Sequence, residues 1–224
     1  MKLFGRDLDA VLFDLDGTLV DSAPDLIHAI QRLCVALEQP AADAEAVRAV
    51  VSKGGRAMLQ KGLPHYDPDQ REALLERFLA MYAENIAEHS RPYAGVESLL
   101  RAIEQRGARW GIVTNKPGWL ARPLVQQLGW SARAASLVSG DCLPVKKPDP
   151  APVLHACELA GVRPERCAYV GDDLRDIEAG RSAGMLTVAA AWGYLNGEDP
   201  ATWAADLVSR SADELTRALS LAAA

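Results

Sequence analysis

Apolar residues are concentrated in five short runs along the chain. Each run is apolar at nearly every position, which is typical of parallel strands covered on both faces. Segments with helical periodicity separate the later runs, and strands that alternate with helices of about 10 to 15 residues indicate βαβ units and a parallel sheet. The predicted strands are AVLFD (10–14), RWGIVT (109–114), ASLVSG (135–140), CAYVGD (167–172) and MLTVAAA (185–191), followed by a weaker strand, ADLVS (205–209). The predicted helices around them cover 96–106, 117–128, 150–160, 174–183 and 211–220.

The stretch between the first two predicted strands is different, because only helical periodicity occurs from about 22 to 90. A segment this long exceeds an ordinary crossover connection. We therefore expect an inserted all-helical cap domain at 20–91 and a core domain formed by 1–19 and 92–224. The predicted helices of the insertion cover 24–38, 43–50, 54–61 and 69–89.

The composition is that of an ordinary globular protein, with 224 residues of which 49% are hydrophobic. The formal net charge is -6 at pH 7. A field of this sign argues against nucleic acid as the main partner. It leaves room for a small anionic substrate, because local positive charge can oppose the net charge.

The chain has four cysteines, Cys34, Cys142, Cys157 and Cys167. They show neither CxxC pairs nor the spacing of a disulfide framework, so we expect reduced thiols and a cytoplasmic location. The first ten residues, MKLFGRDLDA, do not resemble a signal peptide. No run approaches the roughly 18 to 20 apolar residues of a membrane span, so no membrane partner is expected.

Polar residues that could take part in catalysis or ligand binding lie where several predicted strands end. They are Asp14 and Asp16 after the first strand, TNK (114–116) after the second, VKKPDP (145–150) in a later loop and GDDLRD (171–176) after another strand. In an open parallel α/β sheet, ligands bind at the carboxyl ends of the strands. Each segment alone is weak, since Asp before Gly is common turn chemistry. The four together predict one shared site.

Three of these acids, Asp14, Asp16 and Asp172, would crowd that site. Two like charges about 4 Å apart repel by about 4 kcal/mol at an effective dielectric near 20, so three need a cation or a proton. A hard divalent ion with oxygen ligands is the natural counter-charge, and Mg²⁺ suits a site with few carboxylates and a substrate phosphate. The four histidines lie far apart and form no HExxH motif, which argues against zinc.

A metal, carboxylates and nearby donors together indicate phosphoryl transfer. Asp14 is expected to attack phosphorus and to form an aspartyl-phosphate. Asp16 would protonate the leaving oxygen and then deprotonate the attacking water. Thr114 and Asn115 would donate hydrogen bonds to the phosphoryl oxygens, and Lys147 would balance charge on the nucleophile and on the transferring group.

In chain order, the segments DLDGTLVDS (14–22), VTNK (113–116), KKPDP (146–150) and GDDLRD (171–176) resemble the four motifs of the haloacid dehalogenase-like phosphatases. The resemblance spans almost the whole chain and includes a helical cap inserted after the first motif. It implies an α/β fold whose core is a Rossmann-like, doubly wound parallel sheet.

The resemblance also implies residue roles. Asp14 is then the nucleophile, Asp16 the acid and base, and Lys147 the motif lysine. The neighbouring Lys146 fits less well, because the family lysine stands directly before the proline.

The ligands of Mg²⁺ are likewise implied by the resemblance. They are Asp14, the backbone carbonyl of Asp16, and Asp172. Asp176 then supports the metal site without binding the ion. From the residues themselves, Asp173 is expected to start a helix or to give similar support, and direct binding of the metal is the alternative.

Within the family, the chain resembles the phosphoglycolate phosphatase group and, at least as well, the bacterial N-acetylmuramic acid 6-phosphate phosphatases. The matching segments include SKGGRAML (52–59) for the first, and VVSKGGRAM (50–58) and WGYLNGEDPATWAAD (192–206) for the second. The resemblance favours neither substrate over the other. In the cap, Lys53 and Arg56 flank Gly54 and Gly55 and are candidates for contact with a substrate carboxylate or hydroxyl, and a solvated helix start is an equal alternative.

The same residues bear on other functions of this fold. A dehalogenase needs no acid and base at Asp16, and a phosphonate hydrolase replaces that residue. A sugar phosphomutase keeps all four motifs and stays an alternative. A non-catalytic binding protein would be expected to have lost a carboxylate. The sequence leaves the oligomeric state open.

Overall fold

The computed structural model describes residues 1–220. The strands are β1 (Lys2–Leu3), β2 (Arg6–Asp7), β3 (Ala10–Phe13), β4 (Val20–Asp21), β5 (Arg91–Pro92), β6 (Arg109–Val113), β7 (Leu137–Val138), β8 (Cys167–Gly171), β9 (Leu186–Ala190) and β10 (Leu207–Ser209). The helices are α1 (Ala23–Ala36), α2 (Ala44–Arg48), α3 (Gly55–Gly62), α4 (Pro68–Glu84), α5 (Val96–Gln105), α6 (Gly118–Gln127), α7 (Ala151–Ala160), α8 (Leu174–Ser182) and α9 (Ala212–Ala218).

The central sheet has six strands in the order β10-β9-β8-β3-β6-β7, and every neighbouring pair is parallel. From β3 the chain winds outward through β6 and β7, returns to β8, and winds outward through β9 and β10 to the other edge. The junction of β3 and β8 is therefore the topological switch point, where ligands bind in sheets of this kind. The predicted α/β class and doubly wound parallel sheet are confirmed.

The continuous apolar character of β3 follows from its position in the middle of this sheet. Val11 and Phe13 belong to one hydrophobic cluster, and Ala10 and Leu12 belong to another. Successive side chains of a strand point to opposite faces, so both faces of the sheet are covered and no position is left for a polar side chain.

A helical segment is inserted between β4 and β5, and it contains α1, α2, α3 and α4. We call residues 23–84 the inserted segment. The strands β4 and β5 pair with each other in antiparallel fashion at its two ends, which the apolar pattern did not predict. The division of the chain into a core and a cap domain at 19/20 and 91/92 stays a prediction.

The last helix of the inserted segment ends at Glu84, five residues before the predicted end at 89. The chain turns back here because the buried carboxylate of Asp25 in α1 accepts hydrogen bonds from the backbone N–H groups of His89 and Ser90 and from the Ser90 hydroxyl. These hydrogen bonds stabilise the turn more than the helical periodicity of the sequence would stabilise a helix continued to residue 89. Within residues 1–220, no helix combines the length and the apolar character that crossing a membrane requires.

Candidate active site

The switch point places two acids from distant parts of the chain beside each other. Asp14 directly follows β3, and Asp172 directly follows β8. The two strands are hydrogen-bonded in register, and the ladder continues one step further, where the Asp14 N–H donates to the carbonyl oxygen of Val170 at 2.9 Å. The sheet thus fixes the backbone of the first acid next to the strand that carries the second.

A third acid joins them from the first turn of α8. Carboxylate oxygens of Asp14, Asp172 and Asp176 all lie within 4.8 Å of one another, and all three side chains are buried. Burial raises the pKa of Asp14, and burial together with the neighbouring Asp14 charge raises the pKa of Asp172 well above its usual range. Burial also raises the pKa of Asp176, to about 7. Burial and mutual repulsion disfavour three negative charges in this cluster, so its ionised form needs positive charge nearby.

The ammonium of Lys147 supplies part of that positive charge. Its Nζ donates a hydrogen bond to Asp14 at 2.8 Å and forms an ion pair with Asp176 at 2.7 Å. It also lies within hydrogen-bond distance of the Tyr169 hydroxyl and of the Val113 carbonyl. Burial alone would lower the pKa of Lys147, but the two carboxylates raise it well above its usual value, so the side chain is charged.

Asp172 has a different set of partners. It accepts hydrogen bonds from the Thr18 hydroxyl at 3.1 Å, the Ser52 hydroxyl at 3.0 Å and the Tyr194 N–H at 2.9 Å, and it contacts no cationic side chain within residues 1–220. When all three carboxylates are ionised, they and the single Lys147 ammonium leave an excess of two negative charges, which one divalent cation would neutralise. The all-oxygen donor set fits a hard ion such as Mg²⁺.

Asp173 starts helix α8, as one of its two predicted roles requires. Its carboxylate accepts from the Arg175 N–H at 3.0 Å and from the Arg175 guanidinium at 2.8 Å. The carboxylate of Asp176 accepts from the Asp173 N–H in return, which completes a capping box. Burial alone would raise the pKa of Asp173, but Arg175 lowers it. Asp173 therefore fixes the helix that carries Asp176.

Asp16, two residues after Asp14, lies outside this cluster of three carboxylates and has partners of its own. It accepts hydrogen bonds from the Ser22 hydroxyl and, at 3.0 Å, from the Lys116 ammonium. Lys116 also donates to the Tyr82 hydroxyl of α4 at 3.0 Å. The Lys116 side chain is only 7% exposed. Burial alone would lower the pKa of Lys116, but the charge of Asp16 and the contact with Tyr82 raise it.

Thr114 and Asn115 follow β6, as predicted, and their side chains have intramolecular partners. The Thr114 hydroxyl accepts from the Lys116 N–H at 3.1 Å. The Asn115 amide group donates to the Lys147 carbonyl at 3.0 Å and accepts from the Lys147 N–H at 3.1 Å. Asn115 thus positions the loop that carries Lys147. Their predicted hydrogen bonds to phosphoryl oxygens stay predictions.

A cavity of about 320 Å³ lies between this end of the sheet and the inserted segment. Both predicted cap residues line it. Arg56 forms a two-pronged ion pair with Glu72, at 2.6 and 2.7 Å. The exposed side chain of Lys53 forms no hydrogen bond or ion pair within residues 1–220. Apolar side chains complete the wall on this side, namely Leu26, Val51, Met58, Leu75 and Leu79.

Several residues to which the sequence pattern gave no role lie in the site. The inserted segment contributes Ser52 and Tyr82, and Arg175 donates to the Ser52 carbonyl at 2.7 Å. The sequence could have pointed to Lys116 as a site residue, since it stands in the TNK segment at a strand end. It could not have pointed to Tyr82, because an aromatic residue in a helix is ordinarily interpreted as part of the core.

Comparison with known proteins gives a consistent result. A family model described as haloacid dehalogenase-like hydrolase matches residues 8–184. A phosphoglycolate phosphatase of Xanthomonas campestris pv. campestris is 47% identical over 207 residues, which cover 92% of this chain and 94% of the relative. An N-acetylmuramic acid 6-phosphate phosphatase of Pseudomonas aeruginosa is 48% identical over 203 residues, or 90% of each chain. A crystal structure described as a predicted phosphoglycolate phosphatase from Haemophilus somnus superposes with a TM-score of 0.84 at 28% identity, covering 94% of this chain and 97% of the other.

Proposed function

The chain belongs to the haloacid dehalogenase-like hydrolase family, as one of its phosphatases, and from that premise we propose that it hydrolyses a small phosphomonoester through a phosphoryl group carried on Asp14. One observation carries the proposal. The buried Asp14 carboxylate lies 2.8 Å from the Lys147 ammonium, beside Asp172 and Asp176, and faces a cavity large enough for a small ligand.

The proposed reaction has two half-reactions. In the first, an Asp14 oxygen forms a bond to phosphorus while the bond from phosphorus to the ester oxygen breaks, and the leaving oxygen takes a proton from Asp16. In the second, water attacks phosphorus, Asp16 takes a proton from that water, and the bond from phosphorus to Asp14 breaks. The products are an alcohol and inorganic phosphate, and both carboxyl groups return to their starting states.

The remaining polar residues stabilise charge in this scheme. Lys147 contacts the nucleophile and is proposed to balance charge on it and on the transferring group. Thr114 and Asn115 line the cavity and are proposed to position the phosphoryl oxygens. Asn115 also positions Lys147, because its amide group donates a hydrogen bond to the Lys147 carbonyl.

The excess negative charge of the carboxylate cluster supports a bound Mg²⁺. We propose Asp14, Asp172 and the backbone carbonyl of Asp16 as its ligands, with Asp173 and Asp176 in support. When bound, Mg²⁺ supplies Lewis-acid stabilisation of charge on the phosphoryl oxygens.

The two relatives suggest two substrates, 2-phosphoglycolate and N-acetylmuramic acid 6-phosphate. Both molecules carry a carboxylate in addition to the phosphate. Lys53 and Arg56 line the cavity on the side of the inserted segment and are proposed to contact the leaving group. Arg56 would have to exchange Glu72 for the substrate, whereas Lys53 has no partner to release within residues 1–220.

The four cysteines indicate in which cellular compartment the protein is found. Cys34, Cys142, Cys157 and Cys167 are all unpaired, although the Sγ atoms of Cys157 and Cys167 are 3.9 Å apart. The sequence spacing of the four cysteines, with no CxxC pair and no disulfide framework, is typical of reduced thiols, and on that ground we propose the cytoplasm.

A substrate panel tests the proposed function. p-Nitrophenyl phosphate, 2-phosphoglycolate, N-acetylmuramic acid 6-phosphate and a hexose 1-phosphate would each be incubated with the protein and Mg²⁺. We expect release of inorganic phosphate from at least one of the two carboxylate-bearing esters. Isomerisation of the hexose phosphate without phosphate release would instead identify a phosphomutase, and no reaction with any ester would contradict the proposal.

Asp16→Asn is expected to lower kcat by roughly 10²- to 10⁴-fold, which is the usual contribution of general acid–base catalysis. The amide can neither protonate the leaving oxygen nor accept a proton from water. Steady-state kinetics on the best substrate of the panel would measure the effect. A variant within a factor of two of the wild type would show that Asp16 does not carry the proton.

A further inference from the structure

Lys116 and Tyr82 form a polar pair on the cavity wall, and the reaction scheme above gives neither a role. The ammonium of Lys116 lies 3.0 Å from Asp16 Oδ1 and 3.0 Å from the Tyr82 hydroxyl. It also lies over the Tyr82 ring, 4.5 Å from the ring centroid. Tyr82 is fully buried in α4, and both residues line the cavity. The inserted segment thus holds this cation beside Asp16.

We propose that Lys116, positioned by Tyr82, binds a carboxylate on the leaving group and thereby selects phosphate esters of 2-hydroxy carboxylic acids. This inference rests on the proposed function, in which Asp16 faces the ester oxygen.

Distance supports this assignment. A proton donor must approach the ester oxygen to about 2.6–3.2 Å, so an ammonium 3.0 Å from Asp16 lies within roughly 6 Å of that oxygen. In an ester of a 2-hydroxy acid, the carboxyl carbon is only two bonds from the same oxygen. Its carboxylate therefore falls within reach of Lys116. In N-acetylmuramic acid 6-phosphate the pyranose ring separates the carboxylate from the phosphate ester. That carboxylate therefore does not come within reach of Lys116.

Charge supports the assignment as well. A buried ammonium needs an anion beside it, and Asp16 is that anion here. A substrate carboxylate can replace Asp16 as the counter-ion, and Asp16, protonated from solvent, is then free to turn toward the ester oxygen as the acid of the first half-reaction. Moreover, the two 3.0 Å contacts use two of the three ammonium donors, and the third has only a longer approach, 3.4 Å, to Asp16 Oδ2. An ester of a neutral alcohol brings no such replacement.

The experiment compares two esters that differ only in the carboxylate, namely 2-phosphoglycolate and ethyl phosphate, which has a methyl group in its place. The preference ratio is the kcat/KM measured with 2-phosphoglycolate divided by the kcat/KM measured with ethyl phosphate. We expect the wild type to favour 2-phosphoglycolate, and Lys116→Gln to lower the preference ratio by roughly 30-fold or more, mainly because 2-phosphoglycolate binds with a raised KM. Lys116→Arg should restore part of the ratio. Tyr82→Phe keeps the packing and should lower the ratio by about three- to tenfold.

A matched control removes another positive charge from the same cavity. Lys146 lines the cavity and is exposed, and Lys146→Gln should change the preference ratio by less than about threefold. An equal loss in Lys146→Gln would indicate a general field effect and overturn the inference. So would a Lys116→Gln variant that loses activity on both esters in the same proportion, because Lys116 would then act only through Asp16.

N-acetylmuramic acid 6-phosphate serves as the third substrate in this experiment. Its kcat/KM relative to ethyl phosphate should change by less than about threefold in Lys116→Gln, and a loss equal to that of 2-phosphoglycolate would overturn the inference. A wild type that is active but shows no preference for 2-phosphoglycolate over ethyl phosphate would overturn it too, and would leave the proposed function standing. A wild type that hydrolyses none of the three esters would overturn both.

Discussion

Asp14→Asn is expected to reduce kcat by on the order of 10⁵-fold or more, which is the scale of losing a nucleophile. An amide cannot form the bond to phosphorus that the proposed first half-reaction requires. The fold should survive, because Lys147 keeps its contact with Asp176 at 2.7 Å and its hydrogen bond to the Val113 carbonyl. Phosphate release in the presence of Mg²⁺, with circular dichroism as the test of folding, would measure the effect.

A matched control for this change is Asp69→Asn. Asp69 is exposed in the first turn of α4 and lies outside the cavity lining, so the same chemical change should alter kcat by less than about twofold. A folded Asp14→Asn variant with normal turnover would refute the assignment of Asp14 as the nucleophile.

Removal of divalent metal is expected to reduce turnover by roughly 10³-fold or more, because Lewis-acid stabilisation contributes several kcal/mol. The structural reason is the cluster of Asp14, Asp172 and Asp176, which Lys147 alone does not neutralise. Treatment with EDTA followed by dialysis should abolish phosphate release, and added Mg²⁺ should restore it. Full activity in metal-free protein would contradict the proposed metal site.

Calorimetric titration with Mg²⁺ locates that site independently of activity. Asp172→Asn should weaken Mg²⁺ binding by at least about 100-fold, because it removes a proposed ligand. Asp69→Asn is the matched control, since Asp69 is exposed in the first turn of α4 and lies outside the cavity lining. It should change the Mg²⁺ affinity by less than about fivefold. Equal effects of the two substitutions would show that the ion binds elsewhere.

Much of the fold could be predicted because the strands of this sheet are buried on both faces. The run AVLF at 10–13 is apolar throughout for that reason, and the same holds for the strand at 167–171. The polar residues that follow such strands then stand out, and the parallel arrangement brings them to one edge. Local sequence therefore sufficed to predict the approach of Asp14 to Asp172.

The rest depends on how the inserted segment packs, which no local pattern encodes. The contact of Ser52 with Asp172 joins residues 120 positions apart, and that of Lys116 with Tyr82 joins residues 34 positions apart. Asn115 illustrates a different limit. Its position at a strand end was predicted, but its amide group binds the Lys147 backbone, which only the tertiary structure reveals.

The most direct test of the central claim is to trap the phosphoryl group on the enzyme. The protein would be mixed with excess substrate and Mg²⁺, quenched in acid within one turnover, digested, and subjected to mass spectrometry. We predict one phosphoryl group on the peptide that contains Asp14, and none in the Asp14→Asn variant treated in the same way. A phosphoryl group on another residue, or its retention in Asp14→Asn, would contradict the account.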